Sequence, residues 1–104
     1  MQSIAQHFAE RALAAFRNGD AGRAAWLCGL GLESDPEAPP LLHILALSRW
    51  SLGDPRTAAD ILRRLVEIVP DRPRVFDDLG GVLAELGAAE AAFYAWERAL
   101  SLDP

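Results

Sequence analysis

The sequence has no lysine. All ten of its basic residues are arginines, an imbalance that reads as codon composition rather than chemistry. It has no basic run longer than Arg63-Arg64, and its fifteen acidic residues bring the formal net charge to −5. Binding a phosphate backbone calls for a clustered positive face. Nucleic acid is therefore not expected as a partner, and anionic membrane surfaces are disfavoured on the same ground. Cys28 is the only cysteine, so no internal disulfide forms and the redox compartment is not indicated. No run of 18 apolar residues marks a membrane span. The opening stretch MQSIAQHFAERAL carries early charges and no apolar h-region, unlike a secretory signal, so a cytoplasmic location is expected. With no HxxxH, HExxH or Cys/His cluster, neither a metal site nor a cofactor is expected. β-Branched residues are few while Leu and Ala abound, which favours helix throughout. Strand patterns, low-complexity segments and flexible linkers are all missing.

What is present is a period. Gly19, Gly53 and Gly87 lie 34 residues apart, as do Ala24, Ala58 and Ala92, and Pro36, Pro70 and Pro104. Self-similarity at this spacing marks an array of paired helices. Apolar residues recur at three- and four-residue steps: Phe8, Ala12, Ala15 and Phe16; Leu42, Leu45, Ala46 and Trp50; Phe76, Leu79, Gly80 and Leu83. Each stretch runs to a glycine, which supplies the left-handed backbone that closes a helix. A second helix follows each time, over 21–33, 55–68 and 89–102. These end at Asp35-Pro36, Val69-Pro70 and Asp103-Pro104, because proline cannot continue a helix and displaces the residue before it. The spacing predicts six helices in one domain over residues 1–104, with repeats at 5–38, 39–72 and 73–104.

The last unit, PRVFDDLGGVLAELGAAEAAFYAWERALSLDP, resembles a tetratricopeptide repeat over nearly its whole length. It has Phe76, the Leu79-Gly80 pair, Leu83, the turn Gly87, then Ala92, Trp96, Ala99 and Pro104. The middle unit keeps Leu42, Leu45-Ala46, Gly53, Ala58, Leu62 and Pro70. It departs at Arg49, where an apolar residue or tyrosine is usual, and at Leu65, where alanine is usual. The first unit keeps Phe8, Ala12, Gly19, Ala24 and Pro36 but has Arg11 in place of leucine. The resemblance implies an all-α fold, a right-handed α-α superhelix of three antiparallel helical hairpins. Ala12, Ala24, Ala46, Ala58, Gly80 and Ala92 are the small residues that let paired helices approach. Phe8, Leu62 and Trp96 fill the space beside them.

In such arrays the first helix of each pair lines a concave groove that takes peptides. By register, the groove residues implied are Glu10, Leu13, Phe16 and Arg17 from the first unit and His43, Ile44, Leu47 and Trp50 from the second. The third contributes Arg74, Asp77, Asp78, Gly81 and Glu85. Leu13, Ile44, Leu47 and Trp50 make the middle apolar, which suits the apolar face of a partner helix. The third-unit end reads as acidic. Some co-chaperones of this family clamp a C-terminal carboxylate with Lys and Asn. A chain without Lys, carrying Asp77 and Asp78 there, would repel an acidic tail. The partner expected is therefore another protein: a peptide or helix that is apolar with some basic residues.

Asp77 and Asp78 do not read as an acid/base pair, because adjacent helical residues point about 100° apart. His43 reads as a groove hydrogen-bonder and His7 as surface. Cys28 takes the packing position of Leu62 and Trp96, and a buried free Cys behaves as a small hydrophobe. Trp26 and Tyr94 fall on the outer face. The period closes flush with Pro104, without the polar helix that normally caps an array. Phe93 and Leu100 are thus expected to be partly bare, covered by more chain or by another molecule, self-association included. The function read from all this is a non-catalytic interaction scaffold. Two settings compete with it: a small bacterial chaperone like those of type III secretion, or the N-terminal module of a larger enzyme such as a glycosyltransferase.

Overall fold

The computed structural model describes residues 1–104, which form six α-helices: α1 (Ile4–Arg17), α2 (Ala21–Ser34), α3 (Pro39–Ser51), α4 (Pro55–Ile68), α5 (Pro73–Glu85) and α6 (Ala89–Leu102). The second helices lie where the prolines and glycines put them, to within one residue.

The turns are built identically. At the end of α1, Gly19 has φ +81°. Its N–H donates to the Phe16 carbonyl at 3.0 Å, and the Asp20 N–H donates to Ala15 at 2.9 Å. This double bond pattern satisfies carbonyls that a helix end leaves free. Gly53 and Gly87 repeat it one and two periods on. The next helix is then capped from the side chain: Asp20 accepts from the Arg23 N–H at 3.0 Å, and Asp54 from the Thr57 N–H at 3.2 Å. Ala88, in the same register, has no side chain to do so.

Within each hairpin the small residues face one another. Ala12, Ala24, Ala46, Ala58 and Ala92 are all fully buried, and a Cβ on Gly80 would collide with the Trp96 indole. Two apolar clusters result. One joins α1 and α2 to Leu41 and Ile44 of α3. The other joins Leu42 and Ala46 of the same helix to α4, α5 and α6. Helix α3 is the shared wall, and it can serve both sides because its residues are apolar nearly all round. Its buried Ser48 is satisfied internally, its hydroxyl donating to the Ile44 carbonyl at 2.7 Å. The proline-rich junction between the first two units is tied down rather than free. Ala38 is 4% exposed, and Arg64 reaches the Pro36 carbonyl at 3.4 Å.

Candidate functional site

The first helices α1, α3 and α5 line a cleft of about 500 Å³, closed on one side by Val69 and Arg72 from the α4–α5 junction. Its floor is apolar. Ile44, Leu65 and Val75 are buried, and Leu13, Phe16 and Leu47 are half-buried. The spacing responsible is the helical one: Leu13 and Phe16 lie one turn apart, and so do Ile44 and Leu47. Arg17, Arg72 and Arg74 stand exposed around this floor, and none of them forms an ion pair. His43 and Asp78 meet across it, with Nε2 2.6 Å from Oδ2. An ionised carboxylate only accepts, so Nε2 carries the proton.

Of the residues implied by register, the cleft gathers Leu13, Phe16, Arg17, His43, Ile44, Leu47, Arg74 and Asp78. Four lie elsewhere. Glu10 borders a separate depression beside Asp35 and Pro39. Asp77 faces a different cleft, with Trp96 and Leu100, because it diverges from its neighbour Asp78 around the helix. Trp50 and Glu85 engage each other: the indole N–H donates to the carboxylate. The Trp50 ring lies over Gly81, where an added Cβ would sit 2.8 Å from Cη2. It packs on the larger apolar cluster and is a bridging residue between α3 and α5.

These placements reverse the expected charge of the site. Asp77 is outside it, and Asp78 accepts from His43. Beside that one carboxylate the cleft carries three guanidinium groups without an ion-pair partner, in a protein whose net charge is −5. A local positive site on an acidic body concentrates anionic groups at that place. Arg72 was not anticipated because the register counted only first helices, and Arg72 precedes α5. Its signal was its place directly before Pro73, where the chain turns into the groove.

Elsewhere, Cys28 is fully buried, and burial pushes its thiol up to about 12. A thiol held protonated is a poor nucleophile. No three His, Cys, Asp or Glu side chains converge as metal ligands would. No helix is long and apolar enough to cross a membrane. Trp26 and Tyr94 are exposed, at 63% and 61%.

No family model matches the chain. Among solved structures, the second TPR of Spaghetti (RPAP3), bound to the HSP90 peptide SRMEEVD, superposes with a TM-score of 0.93 at 19% identity, over 97% of this chain and 94% of that one. The chain has the tetratricopeptide-repeat fold. Its three antiparallel hairpins form the all-α right-handed superhelix that the resemblance implied. The Yersinia enterocolitica type III secretion chaperone SycD, in complex with a peptide of the translocator YopD, shares the fold at 15% identity. Its TM-score is 0.88, over 93% of this chain and 74% of that one. The O-GlcNAc transferase of Thermobaculum terrenum matches at 29% identity and a TM-score of 0.92 over the whole of this chain, which spans 21% of the transferase.

Proposed function

We propose that this tetratricopeptide chain is a non-catalytic interaction scaffold, and that its cleft holds a peptide or amphipathic helix of apolar and acidic character. The observation that carries this reading is the ring of unpaired Arg17, Arg72 and Arg74 around the floor of Leu13, Ile44 and Leu47. Apolar side chains seated on that floor gain roughly 25 cal/mol for each Å² removed from water. Guanidinium groups accept carboxylates in a two-pronged geometry that adds selectivity to attraction. The His43–Asp78 pair holds a fixed polar wall between the two. Two neighbours in the same fold carry bound peptides, and one of those, SRMEEVD, is acidic. A small chaperone, and a module of a larger enzyme, would both use such a cleft, each on its own client; SycD is a type III secretion chaperone, and the matched transferase is about five times the length of this chain.

Selection of a displayed peptide library on the 104-residue chain tests this. Enriched sequences are expected to combine Leu, Ile, Val or Phe with Asp or Glu. Arg17→Glu and Leu47→Asp are each expected to weaken the selected peptides at least about tenfold, with the far-ultraviolet circular dichroism unchanged. Enrichment of Lys- and Arg-rich peptides, or binding indifferent to both changes, would sink the proposal.

A further inference from the structure

The outer face of the first hairpin departs from its repeats. In α4 that face presents Arg56, Asp60, Arg63 and Arg64, and in α6 Glu90, Tyr94, Glu97 and Arg98, all exposed. In α2 the same four positions hold Gly22, Trp26, Gly29 and Leu30. Trp26 is 63% exposed, and Leu52 at the end of α3, which borders the same hollow, is 51% exposed. The exposure belongs to the register and not to an end of the stack. Helix α4 has a hairpin on either side of its own, and its four residues are exposed all the same. Helix α2 is thus apolar on its outer face as well as its inner one, the pattern of a helix covered on both.

Three properties of this face fit a second copy of itself. The first is spacing. Gly22, Trp26, Gly29 and Glu33 fall on one stripe of α2 at steps of four, three and four, which read the same in both directions. An antiparallel copy therefore sets Trp26 over Gly29 and Glu33 over Gly22, each way round. The second is shape. The other two indoles of the chain each lie on a glycine of a facing helix, Trp50 on Gly81 and Trp96 on Gly80. Trp26 has no such seat and Gly29 no such occupant. A Cβ added to Gly29 meets nothing within 4 Å, and one on Gly22 meets only Asp20 Oδ1 at 3.8 Å. Glycine weakens a helix interior, and no packing within the chain calls for it at either place.

The third property is charge. Helix α3 runs back along α2, with Leu41 against Gly31, so Arg49, two turns on, comes beside the amino-terminal half of α2. Glu33 lies at the carboxyl-terminal end of α2. Both are exposed, and neither forms an ion pair within the chain. Antiparallel pairing brings Glu33 of each copy to Arg49 of the other, and parallel pairing does not. Trp26 alone exposes on the order of 150 Å². With Leu30, Leu52 and the two charged side chains, a pair of copies buries about 1,000 Å², the lower limit for a specific contact.

We propose that two copies of this chain pair about a two-fold axis between antiparallel α2 helices, each Trp26 seated on Gly29 of the other copy and each Glu33 facing its Arg49. The pairing is weak, as its area requires, and it shares no residue with the peptide cleft.

Sedimentation velocity of the 104-residue chain from about 5 to 500 µM tests it. A monomer–dimer equilibrium with a midpoint in the range of about 10–100 µM is expected. Gly29→Arg installs the residue that α4 carries at this position, where there is room for it. It should raise the midpoint at least about tenfold. Helical content and melting temperature should not fall, because arginine favours helix over glycine. Glu33→Arg and Arg49→Glu should each weaken the dimer about threefold or more, and the two together should restore it. A chain that stays monomeric throughout overturns the proposal and leaves this face to a different partner. So does a dimer that survives Gly29→Arg, a double charge reversal that fails to restore pairing, or mass that grows without limit.

Discussion

The stack has two junctions between successive first helices, and they are built differently. At the first, α1 and α3 run close together backbone to backbone; at the second, α3 and α5 stand further apart and side chains span the gap. His43 reaches Asp78, and Trp50 reaches Glu85, each across 35 residues. One period earlier those positions are held by Ala9 with Ile44 and by Phe16 with Ser51. The register is the same, but an apolar Ala–Ile pair and a Phe–Ser pair give way to two polar bridges. Gly81 completes the contrast: it stands where Leu13 and Leu47 stand in the other units, and the Trp50 ring occupies the space its missing side chain leaves. The repeat fixes where helices go. The residues that break the repeat decide how far apart first helices stand and what lines the space between them.

The strongest way to break this contrast is to force the second junction to resemble the first. Gly81→Leu places a side chain where a Cβ alone already sits 2.8 Å from Trp50 Cη2. We expect a loss of about 2 kcal/mol in urea unfolding, the cost of overpacking less the gain in helix propensity. Adding Trp50→Phe recreates the pairing of Phe16 with Leu47, and the double variant is expected to recover at least about 1 kcal/mol of that loss. Additive behaviour would mean that Trp50 and Gly81 do not share this space.

A smaller effect is expected at the other bridge. His43→Ala leaves the half-buried Asp78 carboxylate without its donor, at a cost of about 1 kcal/mol. Asp78→Ile added to it gives the Ala9–Ile44 pair of the first junction. Replacing both partners of a hydrogen bond is far less damaging than removing one, so the double variant is expected within about 0.5 kcal/mol of the parent. If the double variant is no more stable than the single one, the bridge contributes to neither state.

The periodic part of this molecule was legible from the sequence and the aperiodic part only in fragments. Glycine turns, proline stops and buried alanines are backbone constraints, each stated by one residue type at one place. That is why α2, α4 and α6 fall where spacing put them. The cleft depends on which way a side chain turns, and here single residues mislead. Asp77 and Asp78 look alike in sequence yet face different clefts. Trp50 carries the hydropathy of an anchor, but it bridges two helices because Gly81 gives it room. The charge at the cleft hinges on pairings such as His43 with Asp78, made across units and invisible to a register that counts positions one unit at a time. The exposure of Phe93 and Leu100 was legible, because it follows from counting which helix covers which.

The finest form of the contrast lies in the caps that start the second helices. Asp20, Asp54 and Ala88 are one period apart and share a backbone: φ and ψ are −104° and 74°, −119° and 72°, and −88° and 66°. The two aspartates accept the amide hydrogen three residues on, whereas at α6 the corresponding Ala91 N–H has no such acceptor. Ala88→Asp needs no backbone change to supply one, and we expect it to stabilise the chain by about 0.5–1 kcal/mol at neutral pH. The pH dependence of that gain identifies its cause. At Asp54 the hydrogen bonds from Thr57, side chain first and backbone second, hold the carboxyl below its ordinary range. A carboxyl depressed in the folded state adds stability that is whole above its unfolded pKa of about 3.9. That stability is lost as pH falls through the lower folded value. The advantage of Ala88→Asp over the parent should therefore be constant from neutral pH down to about pH 5 and vanish in strong acid. Ala88→Asn, whose side chain also caps but does not titrate, should keep its advantage throughout. A gain from Asp that persists in acid would assign the effect to something other than the ionised cap.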